Sequence, residues 1–288
     1  MIHVNTCSQN FFAIPFRGSG VLLKHAPVLL IHHGDTPLGE ALAQRACEHY
    51  RVVITGEDGF RGPQICAHLH AKGKEAMFLE SRKGESQDHR RNVDRILRRW
   101  QQLDVVINLP CHVSVGPFEA TAANQWENHI QSQLMDTVHL CQSTLTALRQ
   151  QQRGRILNVI IEYGLLPVPM TACQSAMAGA IKALSNSLYA ELHGSGINVS
   201  AVAIPLLAEC SDHIEASDPL SAARFRRQAN QTAAQLEEVA DAIFAAIQCD
   251  GSLQITTPEI RSQWRQKRWF RRRWEQALKQ LGSRYRSR

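Results

Sequence analysis

Several small constellations in this 288-residue chain hold the residue types that chemistry uses. Cys66, His68 and His70 in "CAHLH" and the adjacent His32 and His33 are thiol and imidazole donors of the kind that bind transition metals. Cys173 offers a sulfur that would become a nucleophile if its thiol were ionised. Each also has a plainer reading. On a helix Cys66, His68 and His70 point in different directions, so they cannot share one ion. A His pair at a strand end reads as a polar cap, and Cys173 as a small buried thiol. The expectation is no metal site and no thiol catalysis. The eight cysteines, at 7, 47, 66, 111, 141, 173, 210 and 249, show no CxxC spacing, which in a chain of this length suggests reduced thiols and not a disulfide framework.

The elements that must position these residues alternate in type. "PVLLIHH", "YRVVITG", "KEAMFLES", "DVVINL", "RILNVII", "INVSAVAI" and "SLQITT" are strand-length apolar runs. Between them lie segments of helical period, such as Val93, Ile96, Leu97, Trp100 and Leu103, a long one through Ile130, Leu134, Val138, Cys141, Leu145 and Leu148, and another through Met177, Ile181, Leu184, Leu188 and Leu192. Near-continuous apolar strands separated by helices argue a parallel sheet covered on both faces, because each parallel step needs a crossover. The predicted fold is α/β, a three-layer, doubly wound, Rossmann-like parallel sheet of about seven strands. Residues 1–26 read as an extension, 27–258 as the Rossmann-like domain, and 206–230 within it as an irregular polar stretch.

Composition is that of an ordinary globular protein, 44% hydrophobic and 20% charged. The apolar runs are too short to span a bilayer and the N-terminus lacks a leader pattern, so the expected location is the cytoplasm. The net charge of +6 is unevenly spread: residues 261–288 carry eleven Lys or Arg and one acid, Glu275, leaving the rest of the chain acidic.

The segments "LDVVINLP", "GRILNVIIEYGLLPVP", "SNSLYAELHGSGINVSAVAIP" and "LEEVADAIFAAI" together resemble the short-chain dehydrogenase/reductase family over roughly residues 27–258. The resemblance implies a nicotinamide dinucleotide and a Ser-Tyr-Lys set, with an Asn, that moves a hydride to or from a carbonyl or alcohol. Residue by residue, the family pattern is not kept. The serine position is Ile161, the tyrosine position Gln174, the lysine position Ala178 and the asparagine position Gln133. A Gln amide has no titratable proton in the useful range, Ala178 removes the ammonium that would activate one, and Ile161 cannot hydrogen-bond a substrate oxygen.

The resemblance likewise places a pyrophosphate-binding turn, Thr-Gly-x-x-x-Gly-x-Gly, on "HHGDTPLG". His33 and Pro37 stand at two glycine positions and Gly39 at the third, with Gly34 one residue late. Pro37 has no N–H to offer a phosphate, and Asp35 brings negative charge to the helix start. In an alternative, Thr36 is the N-cap, Pro37 the first helical residue, and Asp35 takes the anion's place. In "NLPC" Asn108 is kept and Cys111 replaces a glycine, while Glu57 and Arg61 leave NAD or NADP undecided. Gly34, Gly39 and Asn108 are therefore the expected contacts of an NAD(P) that binds weakly or not at all.

These readings predict a non-catalytic structural or regulatory subunit that forms a homo-oligomer or pairs with an active family member through its long helices, aided by Ala176, Ala180, Ala183 and Ala190. The competing reading is a functioning NAD(P)-dependent oxidoreductase with relocated groups, Tyr163 and Lys182 being the candidates. The tail, 259–288, is expected to form one basic amphipathic helix. Its stripe of Phe270, Trp274, Ala277, Leu278, Leu281 and Tyr285 would dock residues 261–288 on an anionic membrane, with the body folding independently. Packing on the protein's own body and binding of nucleic acid are the alternatives.

Overall fold

A strand made almost wholly of Val, Ile and Leu has no polar face to turn to water, and each such run here becomes a strand covered on both sides. The structure is a computed structural model that describes residues 26–82, 84–208, 214–231 and 236–286. Of the expected N-terminal extension, all but Ala26 lies outside the described residues. The chain runs β1 (Val28–His32), α1 (Pro37–Ala46), β2 (Arg51–Gly56), α2 (Arg61–Ala71), β3 (Ala76–Glu80), α3 (Ser86–Trp100), β4 (Val105–Asn108) and β5 (Val113–Val115). It continues with α4 (Ala123–His129), a π-helical turn (Ile130–Met135), α5 (Asp136–Gln151), β6 (Gly154–Ile161), α6 (Ala172–Glu191) and β7 (Ile197–Ile204). Last come β8 (Ile214–Ala216), α7 (Pro219–Gln231), α8 (Leu236–Ala246), β9 (Leu253–Ile255), α9 (Pro258–Trp269) and α10 (Arg271–Arg286).

Seven strands form one parallel sheet in the order β3-β2-β1-β4-β6-β7-β9. One face is covered by α1, α2 and α8 through Leu42, Ile65, Leu69, Val239 and Ile243; the other by α3, α5 and α6 through Ile96, Leu140, Leu148 and Leu188. This is the expected three-layer fold. The strand order reverses direction between β1 and β4, and the helices leaving these two strands diverge to opposite faces, opening a crevice at their carboxyl ends.

Three expectations need correction. The 206–230 stretch is not irregular throughout: β8 pairs with β5, and α7 buries Ala222, Phe225 and Ala229 at helical spacing. Asp218 starts that helix by accepting the Ser221 N–H at 2.8 Å. The buried stripe of α5 does not follow the apolar series, since its deepest positions include Asp136, Thr137 and Thr144 whereas Val138 is only half-buried. The tail is two helices broken at Phe270, whose φ of −123° and ψ of 50° are not helical. Trp264 and Trp274 pack on Ile160, Leu165, Ala178 and Ile181, Ile260 is buried among them, and the Lys267 ammonium donates to the Leu165 carbonyl. Much of the tail's apolar surface thus meets the protein's own body, and removing it would uncover part of that cluster. Trp269 and Phe270, 80% and 55% exposed, stay outside.

Candidate functional site

The crevice begins at the turn after β1. His33 takes φ of 53°, a left-handed conformation that suits glycine but that histidine adopts more readily than most residues. The turn's shape therefore persists with a bulky side chain in place of a hydrogen. Gly34 donates its N–H to Thr55 O at 2.9 Å, and a Cβ on Gly39 would lie 2.3 Å from Gly34 O, so the two glycines let α1 rest directly on the turn. Thr36 is the N-cap of α1 and accepts the Gly39 N–H at 3.1 Å; Pro37 follows as the first helical residue. This is the capped start anticipated above, but Asp35 does not occupy the anion's place. Its carboxylate lies against Gly56, where a Cβ would come within 2.1 Å of it, and accepts the Asp58 N–H at 2.7 Å. A hydrogen-bonded loop donor outcompetes the helix end for that charge.

The four positions assigned to catalysis by resemblance come together. Gln133, Ile161, Gln174 and Ala178 line one pocket with His33, Asn108 and Cys111. All four are buried, and both amides are engaged with the backbone. Gln174 Oε1 accepts the Ser114 N–H at 3.3 Å, and Gln133 Nε2 donates to His112 O at 3.0 Å and faces His129 Nδ1 at 3.1 Å. Asn108 is turned to structural partners, donating to Thr137 Oγ1 at 2.9 Å and Asn158 Oδ1 at 3.4 Å. These amides are held where they serve the scaffold.

The relocated candidates lie among different neighbours. Tyr163 is buried with Ile161, Leu206 and Phe225 and meets Phe225 edge to face, whereas Lys182 lies near the tail's Lys267, whose ammonium burial and the Lys182 charge disfavour. Cys173 is buried, and burial pushes its thiol up, which suppresses the nucleophilic thiolate. In the "CAHLH" segment Cys66 faces the core and burial raises its thiol to about 11, His68 is exposed, and His70 Nε2 lies 2.9 Å from Ala76 O. The three side chains point to different surroundings.

The His pair behaves otherwise. His32 Nε2 and His33 Nε2 lie 2.7 Å and 3.0 Å from Asp136 Oδ2, and His89 Nε2 lies 2.8 Å from Asp136 Oδ1. Gly84 N donates to the same Oδ1 at 2.9 Å, and His32 Nδ1 meets Thr55 Oγ1 at 2.8 Å. All four side chains are buried. Burial opposes ionisation of Asp136, but attraction to His32 and the hydrogen bonds from the three imidazoles outweigh it and hold the carboxyl below its usual range. Burial, with repulsion from the neighbouring imidazoles, lowers the basicity of His32 and His89. The reading of His32 and His33 as polar caps is corrected here: they are half of a four-residue cluster. Asp136 and His89 escaped notice, although a carboxylate on the core side of an otherwise apolar helix was the available signal.

The comparisons agree with this architecture. A family model described as short chain dehydrogenase matches residues 27–219. The chain is similar to an uncharacterized oxidoreductase of Staphylococcus epidermidis, 24% identical over 61% of this chain and 75% of that protein. It is 24% identical to cyclopentanol dehydrogenase of Comamonas testosteroni over 54% of this chain and 63% of the relative. A short chain dehydrogenase/reductase from Burkholderia phymatum, solved in complex with NAD, superimposes with a TM-score of 0.78 at 18% identity, covering 86% of this chain and 95% of that one. By sequence model, fold and crevice alike, the chain belongs to the short chain dehydrogenase family.

Proposed function

We propose that this member of the family does not carry out the family's proton-coupled hydride transfer and acts as a structural or regulatory subunit. One observation carries the reading: the pocket that gathers the four reaction positions presents Gln133, Ile161, Gln174 and Ala178. None of these four side chains has a proton of useful acidity, and no ammonium is supplied at position 178 to create one. A carbonyl oxygen pointed at Ile161 would gain charge without a donor. The turn fits a dinucleotide poorly as well, since Pro37 lacks an N–H, Thr36 already holds that of Gly39, and the His33 ring stands where a glycine would let pyrophosphate approach. Any NAD(P) contact at Gly34, Gly39 and Asn108 is accordingly weak.

A second reading, a functioning NAD(P)-dependent oxidoreductase, is favoured by the relatives. Two are named an oxidoreductase and a dehydrogenase, and a structural neighbour was solved with NAD. Under it Tyr163 and Lys182 would have to act together. Calorimetric titration with NAD(H) and NADP(H), coupled to a nicotinamide absorbance assay on alcohols, ketones and aldehydes, separates the two. Binding at millimolar strength or weaker with no turnover supports the subunit reading. Micromolar binding, with turnover abolished by Tyr163→Phe or Lys182→Met, establishes the enzyme.

The subunit reading needs a partner surface. On α6, Ala176, Ala183 and Ala190 are exposed and a Cβ on Gly179 would meet nothing within 4 Å, so this face admits close approach of another helix from a second copy or an active relative. At the α9–α10 junction, Trp269 and Phe270 stand out amid Arg265, Arg268, Arg271, Arg272 and Arg273, a composition suited to an anionic membrane surface and less to nucleic acid. Among the described residues no helix is long and apolar enough to cross a membrane, so such an association would be peripheral.

A further inference from the structure

Three imidazoles and one carboxylate, from three separate elements, converge inside the protein: His32 and His33 at the end of β1, His89 on α3 and Asp136 at the first turn of α5. Among the described residues no Lys or Arg is paired with this carboxylate. A buried carboxylate is costly unless it is paired, hydrogen-bonded or bound to a metal.

We propose that His32, His89 and Asp136 hold a divalent transition-metal ion of the zinc class, with His33, whose Nε2 lies 3.0 Å from Asp136 Oδ2, beside the site. The donor atoms of His32, His89 and Asp136 lie within 4.8 Å of one another. A tetrahedral ion with bonds of about 2.0–2.1 Å needs donors about 3.3 Å apart, so modest side-chain rotations close the site. Two imidazole nitrogens and one carboxylate oxygen, with a fourth position open, suit zinc and its neighbours and not magnesium or calcium, which take oxygen cages.

The surroundings are those of a ligand set and not of a chance cluster. Thr55 Oγ1 engages His32 Nδ1, fixing the ring so that Nε2 faces inward, and the Gly84 N–H steadies Asp136 Oδ1. The π-helical turn Ile130–Met135 ends immediately before Asp136, and such turns concentrate where a helix must aim a functional side chain. His33 also lines the pocket at the end of β4, which gives an ion a way in. The metal would clasp β1, α3 and α5 together. The proposal stands whether or not the chain transfers hydride.

The competing state is a closed hydrogen-bond network in which each Nε2 keeps its proton. To separate the two, untagged full-length protein is purified without chelator, its metal content is measured by mass spectrometry, and the stripped protein is titrated with Zn2+ and Co2+. We expect one zinc per chain retained through dialysis, the visible bands of tetrahedral Co2+, and a melting temperature several degrees higher with zinc. His89→Gln should weaken zinc binding at least tenfold, while His68→Gln, on the surface of α2, should leave it unchanged. Absence of stoichiometric zinc from wild-type protein before and after zinc addition, with only the spectrum of hydrated Co2+, would overturn the proposal. Equal zinc affinity in wild type and His89→Gln would overturn it too. Should His89→Gln not fold, the wild-type cobalt spectrum decides alone.

Discussion

At the carboxyl end of β6, positions that would meet a substrate hold Ile161, Gln174 and Ala178, while beside the end of β1 a layer that could have been plain core holds three imidazoles and a carboxylate. Both regions are buried, so burial does not separate them. What differs is convergence. Around Asp136 every oxygen is met by donors from several elements, so polar residues there are satisfied in the interior. In the pocket the Gln133 and Gln174 amides are used up by nearby backbone, and Ile161 and Ala178 add only apolar surface.

The largest effect that would sharpen this contrast is expected at Asp136. Asp136→Ala leaves three buried imidazoles without their common acceptor and should cost about 3–5 kcal/mol in urea denaturation, if the variant folds at all. On the pocket side, Ile161→Ser places an unpartnered hydroxyl in an apolar wall and removes buried carbon; about 3 kcal/mol is expected. It should restore no turnover, because one hydroxyl without an acid and an ammonium does not rebuild the set. Gln174→Ala should cost less, about 1–2 kcal/mol, mainly through the orphaned Ser114 N–H. An Asp136→Ala loss no greater than that of Gln174→Ala would erase the distinction between the regions.

A control lies away from both. The Ser221 hydroxyl and backbone N–H hold the Asp218 carboxyl below its ordinary value of 3.8. A depressed folded pKa means the capping contribution is fully present above that ordinary value and is lost as pH falls through the folded one. Asp218→Ala should therefore cost about 1 kcal/mol at neutral pH, and its gap from wild type should close in acid. The smallest effect on stability is expected at the tail: Trp269→Ala with Phe270→Ala should change unfolding by no more than about 0.5 kcal/mol. The same pair should abolish co-sedimentation with phosphatidylserine vesicles if that corner meets a membrane, and equal partitioning of variant and wild type would remove the membrane role.

The sheet was readable because its strands are near-continuous apolar runs, and the four pocket positions because Ile161 and Gln174 keep a spacing that the fold converts into proximity. Other parts were not readable for identifiable reasons. In α7, Ala222, Phe225 and Ala229 form a narrow stripe among arginines and glutamines, so polarity masked the period, although Asp218 before Pro219 is a helix start. In α5 the centre of the buried face carries Asp136 and Thr137, so apolar counting settled on flanking residues. His89 and Asp136 are far apart in sequence, and only the crossover connecting β3 to β4 brings α3 beside α5. The stripe on the tail was visible, but periodicity says that a face is covered and not by what.

That tail sets an order on the making of the protein. Ile160, Ala178 and Ile181 leave the ribosome well before Ile260, Trp264 and Trp274, yet these residues share one apolar cluster. During synthesis the mid-chain strand and helix must wait with part of their surface bare until α9 and α10 emerge to cover it. In a nascent chain stalled before residue 258, that surface would be open to chaperones or to premature association.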